Sequence, residues 1–186
     1  RVADRAALDI NAIPVQGTSD SEWILANAAE EWVRFKVDTI TSLVEEIVAG
    51  VREIDPEILI NVHIVPWRTA DYDGAITRIA GQDRAALGAL ADYLSPMCYS
   101  FMLFREPAWV STVVDDVSAE TSCAVLPSIQ VDEAYRADEV FPVADFEAAL
   151  HAALEPPSAG VVFWSWDHIE ADPEKTAMIR RVVRGP

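Results

Sequence analysis

Short apolar runs alternate with amphipathic stretches along most of the chain. The runs are rich in strand-forming residues, end near a Trp, Tyr, Gln or Asp, and are each followed by a helical pattern: Ile58–Trp67, Asp92–Leu103, Cys123–Val131 and Gly160–Ile169. None of them leads into a tight hairpin turn. Because strands that are buried on both faces look like this and belong to parallel sheets, the pattern predicts repeated β/α units.

Amphipathic periodicity predicts the helices between these strands. The clearest one covers Phe35–Glu53, where apolar residues recur every three or four positions until Asp55-Pro56 ends the pattern. Further helices are predicted over Trp23–Trp32, Ala75–Ala80, Gln82–Ala91, Glu106–Val117, Ala144–Leu154 and Pro173–Val183. An additional strand is predicted over Arg5–Pro14, and its closing proline cannot donate to a sheet.

The predicted architecture is an α/β fold of about five parallel strands joined by helices. The 186 residues indicate a single domain over 1–186. Five strands are too few to close an eight-stranded barrel. The chain is therefore expected to be either an open α/β sheet or the last five strands of a (β/α)8 barrel whose first three are absent.

Composition and charge exclude several classes of function. A formal charge of −17, from 31 acidic and 14 basic residues, argues against a nucleic-acid partner, which requires a basic face. No apolar run is long enough to span a bilayer, so no membrane partner is predicted. The two cysteines have no metal-site spacing, and no glycine-rich loop follows any strand, so neither a metal nor a cofactor is predicted.

Several motifs resemble a known family. Leu8–Pro14, which reads Leu-Asp-Ile-Asn-Ala-Ile-Pro, resembles the fourth-strand signature of a group of bacterial glycoside-hydrolase-like (β/α)8 barrels, roughly Leu-Asp-aromatic-Ile-Arg-aromatic-Pro. Other segments that look like this group follow in order: Ile64–Trp67, Asp73-Gly74, Ala80–Asp83, Asp92–Met97 with Tyr99, Pro127–Gln130 and Gly160–Trp164. Ser-Pro-Met followed by Tyr99 is the most specific of these motifs.

The resemblance implies that the chain corresponds to strands four to eight of such a barrel. Related barrels keep a catalytic aspartate at the end of strand four, and this position carries over to Asp9. The chain departs from the family pattern at Ala12, which replaces the arginine of the signature. It also lacks an acidic residue in Asn61-Val62-His63, where some relatives carry one.

Glycoside hydrolysis normally needs two carboxylates that flank the scissile bond. Asp9 is the first candidate, because a charge among the apolar residues of a strand is expensive unless it has a partner or a function. Asp167 is the leading second candidate, since it follows Trp164-Ser165-Trp166 at the end of the last predicted strand. Other loop acids remain open as alternatives, although most such residues are simply solvated: Glu22, Asp71, Asp73 and Asp132.

Aromatic residues gather at the predicted strand ends, where a barrel carries its site: Trp67, Tyr99, Phe101, Trp164 and Trp166. Sugars pack their C–H faces on such rings. Trp164 and Trp166 are predicted to alternate on one strand and to point the same way, either into a cleft or into the barrel interior. Arg68 and Gln130 are candidates for binding sugar carboxylates or hydroxyls.

The hypothesis from the sequence is a glycoside hydrolase whose partner is a carbohydrate. The alternative is a non-catalytic carbohydrate-binding or assembly module. A partial barrel has edge strands with unpaired backbone groups, and these require a second chain or an N-terminal segment to complete the barrel.

Overall fold

A computed structural model of the chain describes residues 20–136 and 138–184. The predicted strand Arg5–Pro14, and with it Asp9, lies outside the described residues. All helices, strands and contacts given for the molecule lie within these two ranges.

Five short strands form the central layer: β1 Asn61–Ile64, β2 Tyr93–Pro96, β3 Ala124–Val125, β4 Ser128–Gln130 and β5 Val162–Trp164. Every pairing is parallel, with β1, β2 and β3 in one sheet and β4 and β5 in another. The prediction of parallel strands alternating with helices is thereby confirmed.

β3 and β4 are two halves of the single strand predicted over Cys123–Val131. Pro127 interrupts it, because proline has no N–H for the ladder. Hydrogen bonds nevertheless continue across the break: Leu126 N donates to Leu94 O at 2.9 Å, and Val162 N donates to Pro127 O at 3.0 Å. A bridge between Met97 and Ser128 also connects β2 to the second half.

Spatial neighbours among the strands therefore follow chain order, from β1 through β2 and the interrupted β3–β4 strand to β5. A doubly wound sheet would reverse its strand order at a switch point, whereas a barrel adds each strand beside the previous one. The described strands have the order of a barrel. Within the described residues β1 pairs only with β2, and its Asn61 and His63 are exposed.

The helices are α1 Asp20–Asn27, α2 Ala29–Ile54, α3 Ala75–Arg78, α4 Arg84–Leu90, α5 Trp109–Glu120, α6 Val143–Leu154, α7 Trp166–Ala171 and α8 Pro173–Arg184. Six of them, α2 to α6 and α8, lie close to predicted helices, although α2 begins at Ala29 and not at Phe35. The helix predicted over Trp23–Trp32 is wrong in its extent, because α1 ends at Asn27 and α2 starts at Ala29. The helix α7 was not predicted.

The last strand, predicted to run through Trp166 within the apolar run Gly160–Ile169, ends at Trp164 and so is shorter than expected. Ser165 is extended, with φ −126° and ψ 174°, and Trp166 is the first residue of α7. Asp167 lies in the first turn of α7, where a negative charge stabilises the start of a helix. The prediction that Trp164 and Trp166 alternate on one strand is consequently wrong.

The core lies between the strands and the helices α5, α6 and α8. α5 contributes Val110, Val113, Val114 and Val117, and α6 contributes Phe146, Ala149, Leu150 and Ala153. The strands pack Ile64, Leu94, Val125 and Ile129 against them. Each helix has one apolar face that covers the sheet, as its sequence periodicity predicts.

Gly88 allows α4 to approach the segment that precedes β3. A Cβ atom there would lie 1.8 Å from the Thr121 hydroxyl oxygen and 3.2 Å from the Cys123 sulfur. We expect Gly88→Ala to destabilise the fold by about 1 kcal/mol, because crowding of about 1–3 kcal/mol exceeds the gain in helix propensity of about 1 kcal/mol. Urea denaturation measures this change.

Gly50 provides the matched control, since it lies inside α2 and its Cβ would meet nothing within 4 Å. Gly50→Ala is expected to stabilise the fold by about 0.5–1 kcal/mol. Equal stabilisation by both substitutions would contradict the close approach at Gly88.

Candidate functional site

The trailing ends of the parallel strands lie at one edge of the sheet, which we call the rim. It comprises residues 65–72, 97–105 and 131–136, which follow β1, β2 and β4, and residues 164–168, which begin with the last residue of β5. Parallel β/α units place their variable loops here, and barrels carry their sites at this edge. The rim contains five of the six residues for which the sequence predicts substrate binding, and the sixth, Gln130, ends β4.

Five side chains of the rim contact one another, and we call them the rim cluster: Tyr99, Asp132, Trp164, Ser165 and His168. The rings of Tyr99 and Trp164 stack with centroids 5.2 Å apart and planes inclined by 24°. The imidazole of His168 meets the edge of this stack, 6.2 Å from the Trp164 ring. The cluster thus joins an aromatic platform to titratable groups.

Asp132 and His168 form an ion-pair contact within the cluster. His168 Nε2 lies 3.1 Å from Asp132 Oδ2, and His168 Nδ1 lies 3.2 Å from the Ser165 hydroxyl. The imidazole thus uses both ring nitrogens, one toward the carboxylate and the other toward the hydroxyl. The Asp132 and His168 side chains are 29% and 39% exposed, so a ligand can reach both of them.

A cavity of about 380 Å³ adjoins this pair, in the size range of small-molecule sites. Its lining includes Asp132, Glu133, His168, Asp172 and Lys175. The backbone N–H of Phe141 donates to Glu133 and lowers the pKa of that carboxyl group, which favours its charged form. The cavity wall therefore carries acidic side chains and one basic side chain, Lys175.

Lys175 is an unusual wall residue because it is only 4% exposed. Its ammonium group donates to Val131 O at 2.6 Å, lies 3.4 Å from Asp172 Oδ2 and sits 5.0 Å from the Phe141 ring. These contacts compensate the charge of a buried lysine, which is seldom fully buried without a partner.

The Gln130 side chain is buried and lines neither the 380 Å³ cavity nor the exposed side of the rim cluster. It is 1% exposed, its Oε1 accepts from Met102 N at 2.8 Å, and its Nε2 donates to Asp132 O at 2.6 Å. A buried amide with both ends engaged by main-chain groups positions a backbone. Gln130 therefore connects the loop after β2 to the loop after β4.

Arg136 makes a second connection between these two loops. Its guanidinium lies 3.9 Å from the Phe101 ring centroid and 4.1 Å from that of Phe104, and it donates to Phe101 O. Phe101 also stacks on Phe141 at 4.8 Å. The sequence analysis missed Arg136, because a single arginine in a polar loop has no spacing that indicates its partners.

Trp67 and Arg68 lie in another sector of the rim. Arg68 donates to Asp71 from its backbone N, its Nε and its Nη2, at 2.9, 3.2 and 2.9 Å. These hydrogen bonds lower the pKa of Asp71. Arg68 thus binds a carboxylate of its own chain, and Trp67 packs edge-on against Tyr72 at 5.8 Å.

Asp167 and Trp166 lie in the first turn of α7, outside the rim cluster. Trp166 is 66% exposed and Asp167 is also exposed. His168, which follows Asp167, is not among the residues that the sequence predicts for the site. The helical turn places His168 beside Ser165 and Asp132.

Neither a metal site nor a membrane span is found within residues 20–136 and 138–184. No group of three or more His, Cys, Asp or Glu side chains there could hold an ion. No helix in the same ranges is sufficiently long and apolar to cross a bilayer.

Comparison with known proteins shows similarity in structure alone. No family model matches the chain, and no curated protein matches it in sequence. Among solved structures, the chain is similar to the PgaB (BpsB) glycoside hydrolase domain from Bordetella bronchiseptica, with a TM-score of 0.65 and 16% identity. That match covers 87% of this chain and 46% of the other.

The chain is also similar to bee venom hyaluronidase, with a TM-score of 0.56 and 18% identity over 83% of this chain and 54% of the enzyme. The same enzyme in complex with a hyaluronic acid tetramer matches with a TM-score of 0.54. The chain spans about half the length of these structures. At such identities the matches show the fold, which is that of glycoside hydrolase domains.

Proposed function

We propose that the chain binds a carbohydrate at the rim and is part of a glycoside hydrolase, which cleaves glycosidic bonds at this site. The observation that carries the proposal is the Tyr99–Trp164 stack beside the Asp132–His168 pair, at the trailing ends of the parallel strands β2, β4 and β5. The glycoside-hydrolase fold of the neighbours supports it. The hyaluronic acid tetramer bound to one neighbour is consistent with a sugar ligand.

In this proposal the half-exposed Trp164 ring stacks against the apolar face of a sugar unit. The cavity beside Asp132 and His168 accommodates a neighbouring unit. Asp9 supplies one catalytic carboxylate, as the family resemblance implies, and Asp132 or Asp167 supplies the second. Asp132 is the better placed of these two, because it belongs to the rim cluster and lines the cavity.

The test measures sugar release from a panel of polysaccharides by the parent chain and by single Asp→Asn variants. Asp9→Asn is expected to lower the rate about a hundredfold, and either Asp132→Asn or Asp167→Asn to lower it comparably, since a positioned acid or base contributes at least this much. Asp115, an exposed residue of α5, gives the control Asp115→Asn, which should be unchanged. Equal rates in all variants would remove these carboxylates from catalysis.

The second candidate is a non-catalytic carbohydrate-binding or assembly module. It is favoured by the edge of β1, which has no second partner in the described ranges, and by exposed apolar residues of α2 such as Leu43 and Ile47. In that case the parent chain binds sugars without releasing any, and Trp164→Ala still lowers the affinity about tenfold through the lost stacking.

A further inference from the structure

Arg105 lies on the loop after β2 and lines a cavity of about 60 Å³ at the rim. Trp67, Tyr72 and Trp109 form the aromatic walls of that cavity. The Arg105 guanidinium donates to the Tyr72 hydroxyl at 3.4 Å and lies 5.8 Å from the Trp109 ring centroid. The Arg105 guanidinium thus lies between aromatic side chains at the surface of the molecule.

Arg105 forms no ion pair with a carboxylate among residues 20–136 and 138–184, although the whole chain carries 31 acidic residues. Most arginines of the described residues form ion pairs with acids: Arg52, Arg68, Arg78, Arg84, Arg136 and Arg181. Arg34 and Arg180 also lack such a pair there, but they lie on α2 and α8, not at the rim. Arg105 combines a guanidinium that has no ion pair in the described ranges with a cavity at the rim.

Asp71 also lines this cavity but does not neutralise Arg105. Both of its carboxylate oxygens already accept hydrogen bonds from Arg68. The charge of Arg105 acts on Asp71 only at a distance, as a minor contribution to the lowered pKa of that group. The Arg105 guanidinium therefore keeps its donors available for an anion from outside the chain.

We propose that Arg105, with the Tyr72 hydroxyl, binds the carboxylate of an acidic sugar unit in a carbohydrate that lies along the rim. The inference rests on the proposed carbohydrate-binding function. A guanidinium pairs with a planar carboxylate through two parallel hydrogen bonds. The cavity has room for about two water molecules, so it fits a carboxylate and not a sugar ring.

The overall charge of −17 does not oppose such a site at close range. At physiological salt the charges of distant side chains are screened over about 8 Å. The local pairing at Arg105 therefore decides whether an acidic sugar is preferred over a neutral one. The preference should fall as salt is raised, because Arg105 is exposed.

Calorimetric titration with paired oligosaccharides tests the inference. Oligomers of galacturonate, glucuronate and mannuronate are each compared with their carboxyl-reduced, neutral counterparts. We expect the parent chain to bind one acidic oligomer at least about tenfold more tightly than its reduced form, the effect of a charge-assisted hydrogen bond. Arg105→Gln should remove this preference without changing the affinity for the neutral form, and Arg180→Gln should leave both affinities unchanged.

The outcomes separate this inference from the proposed function. Equal binding of acidic and reduced forms by the parent, or a preference that survives Arg105→Gln, overturns the role of Arg105 alone. Binding of neutral oligomers that Trp164→Ala weakens would then still support carbohydrate binding. Absence of binding by every acidic and reduced oligomer overturns both proposals.

Discussion

Replacing Phe146 with alanine is expected to destabilise the fold by about 4 kcal/mol. Phe146 is fully buried at the centre of the core, with ring contacts to Phe141 at 6.1 Å and Phe163 at 6.5 Å. Removing a buried phenylalanine loses the transfer free energy of the ring and leaves a cavity, which together amount to about 3–5 kcal/mol. Since domains are stable by about 5–15 kcal/mol, this single change removes a large part of the total.

Urea denaturation followed by circular dichroism measures the loss. Ile54, which is 88% exposed at the end of α2, provides the control, and Ile54→Ala should stay within about 0.5 kcal/mol of the parent. Phe146→Leu, which retains most of the apolar volume, should lose less than Phe146→Ala and keeps the measurement possible if the alanine variant does not fold. Similar stabilities of Phe146→Ala and Ile54→Ala would show that the core is not arranged as described.

Arg84→Met is expected to destabilise the fold by about 3 kcal/mol. The Arg84 side chain is 1% exposed, and its Nη1 donates to Asp116 at 2.6 Å and to Glu120 at 3.0 Å. Its Nη2 donates to the carbonyl of Trp67, so the arginine also fixes the rim segment after β1. Breaking a buried ion pair leaves charges without partners, at a cost of about 3–5 kcal/mol, and the partial exposure of the two acids places this case at the lower end.

A matched arginine and a double substitution distinguish this effect from a general loss of charge. Arg181 pairs with Glu147 but is 65% exposed, so Arg181→Met should change the stability by less than about 0.5 kcal/mol. Adding Asp116→Asn to Arg84→Met should cost less than the sum of the two single changes, because it removes one of the charges that Arg84 compensates. Strict additivity would contradict the described ion-pair network.

The alternation of strands and helices was predictable because each element carries its own signal. α2 and α8 lie near their expected positions, since apolar periodicity and the Pro173 start are local properties. The break at Pro127 could have been predicted from the missing N–H, but the surrounding apolar run concealed it. The helical start at Trp166 was missed for a related reason, because Trp164 and Trp166 together imitate a strand.

From the sequence, a site residue could be placed only where its position at the end of a predicted strand was sufficient to locate it. Tyr99 and Trp164 were both placed at trailing strand ends, and their rings meet across the end of the β3–β4 strand that lies between β2 and β5. The contact of His168 with Asp132 depends on the turn of α7, and the burial of Gln130 depends on the path of the Met102 loop. Such contacts join residues far apart in sequence, so no local pattern could indicate them.

The double link made by Gln130 and Arg136 has a consequence for redesigning this molecule. Variation of the loops at this edge is what gives barrels of β/α units their different chemistries. Here the loop after β2 depends on the loop after β4 for the hydrogen bonds of Met102 N and Phe101 O. Grafting either loop alone would leave those backbone groups without partners, so the two loops should be transplanted as a pair.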